Sequence, residues 1–336
     1  MTGPVPSIEP RLDAEIVQMA QENRARWRIP FEEPSIGVAR SAYTERYRFR
    51  SLPPKTQCRV EKLSIPSRAG AISARLYRPL QSHDAPTALI VYFHGGGFVL
   101  GDAEGYERQS MRLTEELGCA VLFPEYRLSP EHPFPAAVHD AIDVMDWVSR
   151  HAVRLSFDLQ RIGVVGDSAG GNLAANVCLA ARDRGGPSIA LQCLLYPVTD
   201  FRPYVGGPTY PSIDAFSSGY LLDRSVMEWF TRSYLHDAGV ASDPRASPIL
   251  AADLSRLPST IVVTAECDPL RDMGQAFAGR LAQAGTPVEY VCAANLAHNF
   301  MGHVASSAAA RRAFDSVVEI LRRRMQSGAG STPQLV

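Results

Sequence analysis

Arg161-Ile162-Gly163-Val164-Val165-Gly166-Asp167-Ser168-Ala169-Gly170-Gly171 joins a β-branched run to a small-residue helical pattern through a serine flanked by glycines. This is the strand–turn–helix setting in which the serine of G-x-S-x-G sits on a sharp elbow with its oxygen exposed above a sheet. Glycine is needed on either side, because a Cβ there would meet the adjoining strand or helix. Alone the pattern is weak: average glycine and serine content produces it by chance in roughly one chain in ten of this length. Its weight comes from its surroundings.

Working outward, the runs Ala88–Phe93, Ala120–Phe123, Ile162–Val165, Leu191–Tyr196, Ile261–Ala265 and Val288–Cys292 are short, rich in β-branched residues and bounded by breakers. Helical patterns lie between and after them: Tyr106–Leu117, Pro135–His151, Ala169–Arg184, Met273–Ala284 and Ser306–Met325. Continuous apolar strands alternating with helices predict an α/β fold, a mostly parallel central sheet flanked by helices on both faces. Residues 57–78 alternate as a hairpin or meander would. Near the N-terminus, Ile16, Met19 and Ala20 mark one apolar helical face that Pro30 ends.

The alternation is broken once, by residues 200–258, which are rich in aromatics, proline and glycine and carry a helical piece around Ser225–Leu235. An insertion of that length is usually a lid or a binding loop. The expected organisation is therefore N-terminal cap helices in 1–55, a core in 56–200 and 255–325, a cap insertion in 201–254, and a disordered Gly/Ser/Pro-rich tail in 326–336. Phe201, Tyr204, Tyr210, Phe216 and Tyr220 are expected to form either pocket walls or ordinary cap core.

Composition narrows the function classes. The 336 residues are 46% hydrophobic and 21% charged with a formal charge of −1, which predicts a soluble globular protein with no nucleic-acid surface. No basic segment followed by an apolar one opens the chain, and no run of about 18 apolar residues occurs, so neither a signal peptide nor a membrane span is expected. Cysteines 58, 119, 178, 193, 267 and 292 are scattered without C-x-x-C spacing. They predict reduced core residues and a cytoplasmic location.

His94-Gly95-Gly96-Gly97-Phe98 directly follows the strand Leu89–Phe93. Chance produces H-G-G-G in only a few chains per thousand, roughly. Side-chain-free backbone lets N–H groups converge on a developing oxyanion, each worth about 3–4 kcal/mol in a transition state. The N–H of Ala169, after the serine, is the expected second contribution. A phosphate loop is the alternative, but no Lys-Ser/Thr and no G-x-G-x-x-G with a downstream acid accompanies it.

A serine needs a base oriented by a carboxylate, and in this strand–elbow–helix arrangement the chain order is serine, acid, histidine. His236, His298 and His303 follow the serine; His236 falls in the insertion, and His298 follows the last strand, so His298 is preferred. Beyond Ile261–Ala265 the acids are Glu266, Asp268 and Asp272. Glu266 is expected within the strand and Asp272 at the cap of the next helix, which favours Asp268, where Pro269 forces a turn.

These residues closely resemble the hormone-sensitive-lipase family of esterases, marked by H-G-G-G paired with G-D-S-A-G. The resemblance runs from about Pro66 to Leu321. It includes Glu125-Tyr126-Arg127-Leu128-Ser129-Pro130-Glu131-His132-Pro133-Phe134-Pro135-Ala136, Asp268-Pro269-Leu270-Arg271-Asp272, His298-x-Phe300 and the Ser247-Pro248 pair. It implies an α/β-hydrolase fold with a helical cap, hydrolysis of short- to medium-chain acyl esters, no cofactor or metal, a small-molecule ester as partner, and a homodimer formed through an edge strand. By matching positions, Ser168, Asp268 and His298 are its catalytic residues and Gly96, Gly97 and Ala169 its oxyanion amides. Gly95 completes that oxyanion loop, and His94 positions it. Asn299 departs from the family, which usually has a small residue after the base, and the first fifty residues match no motif. Lactone or amide hydrolysis would use the same machinery. A non-catalytic binding protein on this scaffold would lack one of the three residues, and none is missing.

Overall fold

Leu89, Val91 and Phe93 pack into one buried cluster and Ala88, Ile90 and Tyr92 into another, so a single apolar strand is covered on both faces. That two-sided burial is why the central strands read as unbroken apolar runs. The computed structural model describes residues 12–18, 21, 35–55, 57–80 and 86–326. Met19, Ala20, Pro30 and the tail from 327 to 336 lie outside the described residues.

After a helix α1 (Ile36–Arg50), β1 (Cys58–Ser67) and β2 (Gly70–Pro79) form an antiparallel hairpin. There follow β3 (Thr87–Phe93), α2 (Glu107–Leu117), β4 (Ala120–Pro124), α3 (Ala136–His151), β5 (Phe157–Asp167), α4 (Ala169–Arg184) and β6 (Leu191–Leu195). The chain ends its sheet with β7 (Ser259–Cys267), helix Arg271–Gln283 and β8 (Val288–Ala297), then closes with helix Ala308–Gln326. The eight strands lie in the order β1-β2-β4-β3-β5-β6-β7-β8. β1 and β2 are antiparallel to their neighbours, and the strands from β4 to β8 are parallel.

Residues 201–254 hold short helices at Pro211–Ala215 and Arg224–Tyr234 among single helical turns. Phe201, Tyr204 and Phe216 are buried in the core, so these aromatics fill the insertion itself. Asn172, one turn into α4, donates through Nδ2 to Val198 O (3.0 Å) and Ala246 O (2.7 Å), tying the insertion to the elbow helix. All six cysteines are free thiols. Cys292 is exposed and Cys58 half-buried, which corrects the expectation that all six sit in the core: both belong to the outer strands of the sheet.

Candidate active site

The parallel register points the carboxyl ends of β3, β5, β7 and β8 to one edge of the sheet, where β7 and β8 run on past β6, whose Leu195 pairs with Val263. Phe93 pairs with Gly166, Asp167 with Leu195, and Cys267 with Ala297. His94, Ser168, Asp268 and His298 therefore leave β3, β5, β7 and β8 at the same edge. Open α/β sheets gather their functional groups at the carboxyl ends of the strands for this reason.

Ser168 has φ 54° and ψ −115°, a left-handed backbone that costs on the order of 1–3 kcal/mol in a non-glycine residue. The strain is held by hydrogen bonds: the Ser168 N–H donates to Leu195 O at 2.8 Å, and its carbonyl accepts from Asn172 N at 3.2 Å. The flanking glycines have no alternative. A Cβ on Gly170 would stand 1.9 Å from Phe93 O, and one on Gly166 would stand 2.1 Å from Gly170 O.

Asp268 is wholly buried. Its Oδ1 accepts the Leu270 N–H at 2.8 Å, and its Oδ2 lies 2.8 Å from His298 Nδ1. On the other side of the imidazole, Nε2 is 3.0 Å from Ser168 Oγ. The edge of the Tyr196 ring packs on the imidazole, with centroids 4.9 Å apart. The other acids are engaged elsewhere. Glu266 lies within β7 and accepts Asn295 N–H at 2.7 Å. Asp272 is the second residue of the helix that begins at Arg271, two residues past the N-cap Leu270 rather than at the cap expected of it, and accepts Ser212 N–H at 2.8 Å. His303 belongs to a turn Phe300–His303 and lines the pocket.

The glycine loop has two functions divided among its residues. The Gly95 N–H is donated to Asp167 Oδ1 at 2.9 Å, so that amide is occupied. The amides of Gly96, Gly97 and Ala169 have no acceptor among the described residues. Gly96 and Gly97 have φ 107° and 62°. A Cβ on Gly97 would overlap the Phe230 ring at 2.1 Å. His94 anchors the loop from below. Burial holds its imidazole at about 4, so it is neutral at ordinary pH. Its Nδ1 lies 2.7 Å from Gly95 O, which can only accept. Tyr126 stacks on the ring at 4.3 Å and donates its hydroxyl to His94 O at 2.7 Å.

Asp167 was not singled out by the motif, yet it joins loop to elbow. Besides the Gly95 amide, its carboxylate accepts from Tyr92 Oη at 2.9 Å and Tyr106 Oη at 3.2 Å. Burial, the dominant influence, pushes the carboxyl up to about 6 against the opposing pull of these donors. The folded chain therefore holds a proton there that the unfolded chain has released between about pH 4 and 6. That contribution to stability is complete below pH 4 and lost as pH rises through 6. The stability gap between wild type and Asp167→Asn should consequently shrink by on the order of 3 kcal/mol between pH 4 and pH 7. Urea unfolding at the two pH values reads this directly, and a pH-independent gap contradicts it.

The pocket over Ser168 encloses about 100 Å³ and is lined in part by Leu221, Leu222, Val226 and Phe230 from the insertion. α1 contributes Tyr43, Arg46 and Tyr47. Neither group was identified in the sequence as lining the site.

A family model described as alpha/beta hydrolase fold matches residues 90–302. The chain belongs to that family. This hydrolase is 43% identical to a carboxylic ester hydrolase, LipN, of Mycobacterium tuberculosis, over 74% of its own length and 66% of the relative's. It is 37% identical to an ethyl acetate hydrolase of Pseudomonas putida, over 79% and 83% of the two chains. A solved ester hydrolase from the Lake Arreo metagenome, complexed with a derivative of bipyridine phosphonate, superposes with a TM-score of 0.88 at 33% identity. That match covers 94% of this chain and 99% of the other. These relatives place the hydrolase among the carboxylic ester hydrolases. No helix among the described residues is long and apolar enough to cross a membrane.

Proposed function

We propose that the chain hydrolyses short-chain carboxylic esters through a covalent acyl-enzyme, with Ser168 as nucleophile, His298 as base and then acid, and Asp268 as the group that orients the imidazole. The observation that carries this reading is the run Asp268–His298–Ser168, at 2.8 and 3.0 Å, beside three amides with no acceptor among the described residues. Ser168 Oγ attacks the ester carbonyl carbon as its proton passes to His298 Nε2. The carbonyl oxygen, now negative, accepts from the amides of Gly96, Gly97 and Ala169. His298 returns the proton to the alkoxide, the alcohol leaves, and water repeats the sequence on the acyl-serine. Asp268 keeps the proton of neutral His298 on Nδ1, so that Nε2 faces the serine as an acceptor.

Residues 201–254 and α1 act as the cap, set on a core of 56–200 and 255–325. The pocket over Ser168 is small, about 100 Å³, at the low end for a ligand cleft, which supports the short end of the acyl range. Diethyl 4-nitrophenyl phosphate tests the mechanism. One equivalent of 4-nitrophenol should be released per chain, with the diethylphosphoryl group on Ser168 by peptide mass spectrometry. A label on any other residue, or none, defeats the assignment.

A further inference from the structure

His298 follows β8, which lies at the edge of the sheet and pairs only with β7. Its imidazole is held by Asp268 and the Tyr196 ring, but its backbone runs straight into a sharp turn. Asn299 has φ 63° and ψ 28°, left-handed values that asparagine tolerates better than most residues. That turn is fixed from two sides. Phe300 is wholly buried and packs edge-on against Tyr196, with centroids 5.3 Å apart. From the other side, Asn299 Oδ1 accepts the hydroxyl of Tyr47.

Tyr47 comes from α1 and is itself firmly held. Its buried ring stacks on Tyr106, with centroids 4.3 Å apart. Earlier in the same helix, Thr44 Oγ1 donates to Asp102 Oδ2, and Arg40 donates from Nε to Val99 O at 2.9 Å. Val99, Asp102 and Tyr106 all belong to the segment that follows the glycine loop. The helix is therefore fastened on the oxyanion side of the site and reaches the base side through one hydroxyl. Phenylalanine would fill the same stack; only the hydroxyl makes the link to the residue beside the base.

We propose that Tyr47 is a positioning residue for catalysis, which through its hydrogen bond to Asn299 fixes where the backbone delivers His298 relative to Ser168 and the oxyanion amides. The inference rests on the acyl-enzyme reading above. A base must stand within hydrogen-bond reach of the proton it takes. Misplacing a catalytic group by about 1 Å can cost on the order of a hundredfold in rate, so one tether on a turn at the sheet edge matters.

The test is kcat and KM on 4-nitrophenyl acetate in wild type, Tyr47→Phe, Asn299→Gly and the double variant. Active sites are counted by the 4-nitrophenol released on complete reaction with diethyl 4-nitrophenyl phosphate. Tyr47→Phe keeps the stacked ring, and glycine takes φ 63° without strain. Each single change should lower kcat per active site about tenfold, with KM moving less than about twofold. The double variant should be no slower than Asn299→Gly, because both changes remove the same bond. Misfolding would lower the number of titrated sites and leave the rate at each one intact. A kcat per site unchanged in Tyr47→Phe overturns the proposal, as do losses that multiply in the double variant. A rise in KM alone also overturns it, since Tyr47 would then be only a wall of the pocket. Failure of the parent reading looks different: wild type itself would release no stoichiometric 4-nitrophenol, and the proposal would fall with it.

Discussion

Ser168→Ala is expected to lower kcat on 4-nitrophenyl acetate by about a million-fold, without lowering the unfolding midpoint. The two halves of that result have separate origins. Ser168 Oγ is the proposed attacking atom, and its partner at 3.0 Å is His298 Nε2. Alanine leaves the imidazole nothing to deprotonate except water. The three amides remain and still polarise a bound carbonyl, which is why a residual rate of about a thousand-fold over water should persist. Stability should hold because the elbow is fastened by backbone, through Ser168 N to Leu195 O and Asn172 N to Ser168 O. Removing a strained polar group from a site often raises stability. Turnover near the wild-type level would remove Ser168 from the mechanism altogether.

Asp268→Asn should cost about ten-thousand-fold in kcat at neutral pH, although the replacement is almost the same size. The Leu270 N–H requires an acceptor at Oδ1. An asparagine must therefore place its carbonyl oxygen there and its NH2 where Oδ2 meets His298 Nδ1 at 2.8 Å. Facing a donor, Nδ1 becomes an acceptor, and the imidazole proton moves to Nε2. The base then presents N–H to the Ser168 hydroxyl and cannot take its proton. A loss confined to kcat, with KM little changed, distinguishes this tautomer reversal from collapse of the pocket. A loss below about tenfold would show that another group orients the imidazole.

Much of the arrangement was legible in the sequence because the central strands are buried on both faces and the elbow needs glycine for steric reasons. α4 was read at its observed limits, Ala169–Arg184, since Gly185 ends it in a left-handed cap. β5 was read short: between Phe157, which pairs with Thr87, and Ile162, which pairs with Leu89, the register breaks, and Asp158, Gln160 and Arg161 in that break are polar and not buried. β8 also runs further, to Ala297, through alanines and an asparagine of low strand propensity. Partners that meet only in three dimensions were harder to read. Nothing in the spacing of Tyr92, Tyr106 and Asp167 announces that they share hydrogen bonds. The signal available was chemical: an aspartate inside a buried elbow must find donors somewhere. Likewise, α1 gave no motif, and only its packing brings Arg46 and Tyr47 to the pocket.

The distance in sequence between Ser168 and its imidazole partner, 130 residues, has a consequence for the protein during its own synthesis. At about 5–20 residues per second, the elbow and the glycine loop exist for on the order of ten seconds before His298 is made. On the proposed mechanism, Ser168 has no base throughout that interval, and a product of translation halted before β8 is expected to release no 4-nitrophenol from 4-nitrophenyl acetate.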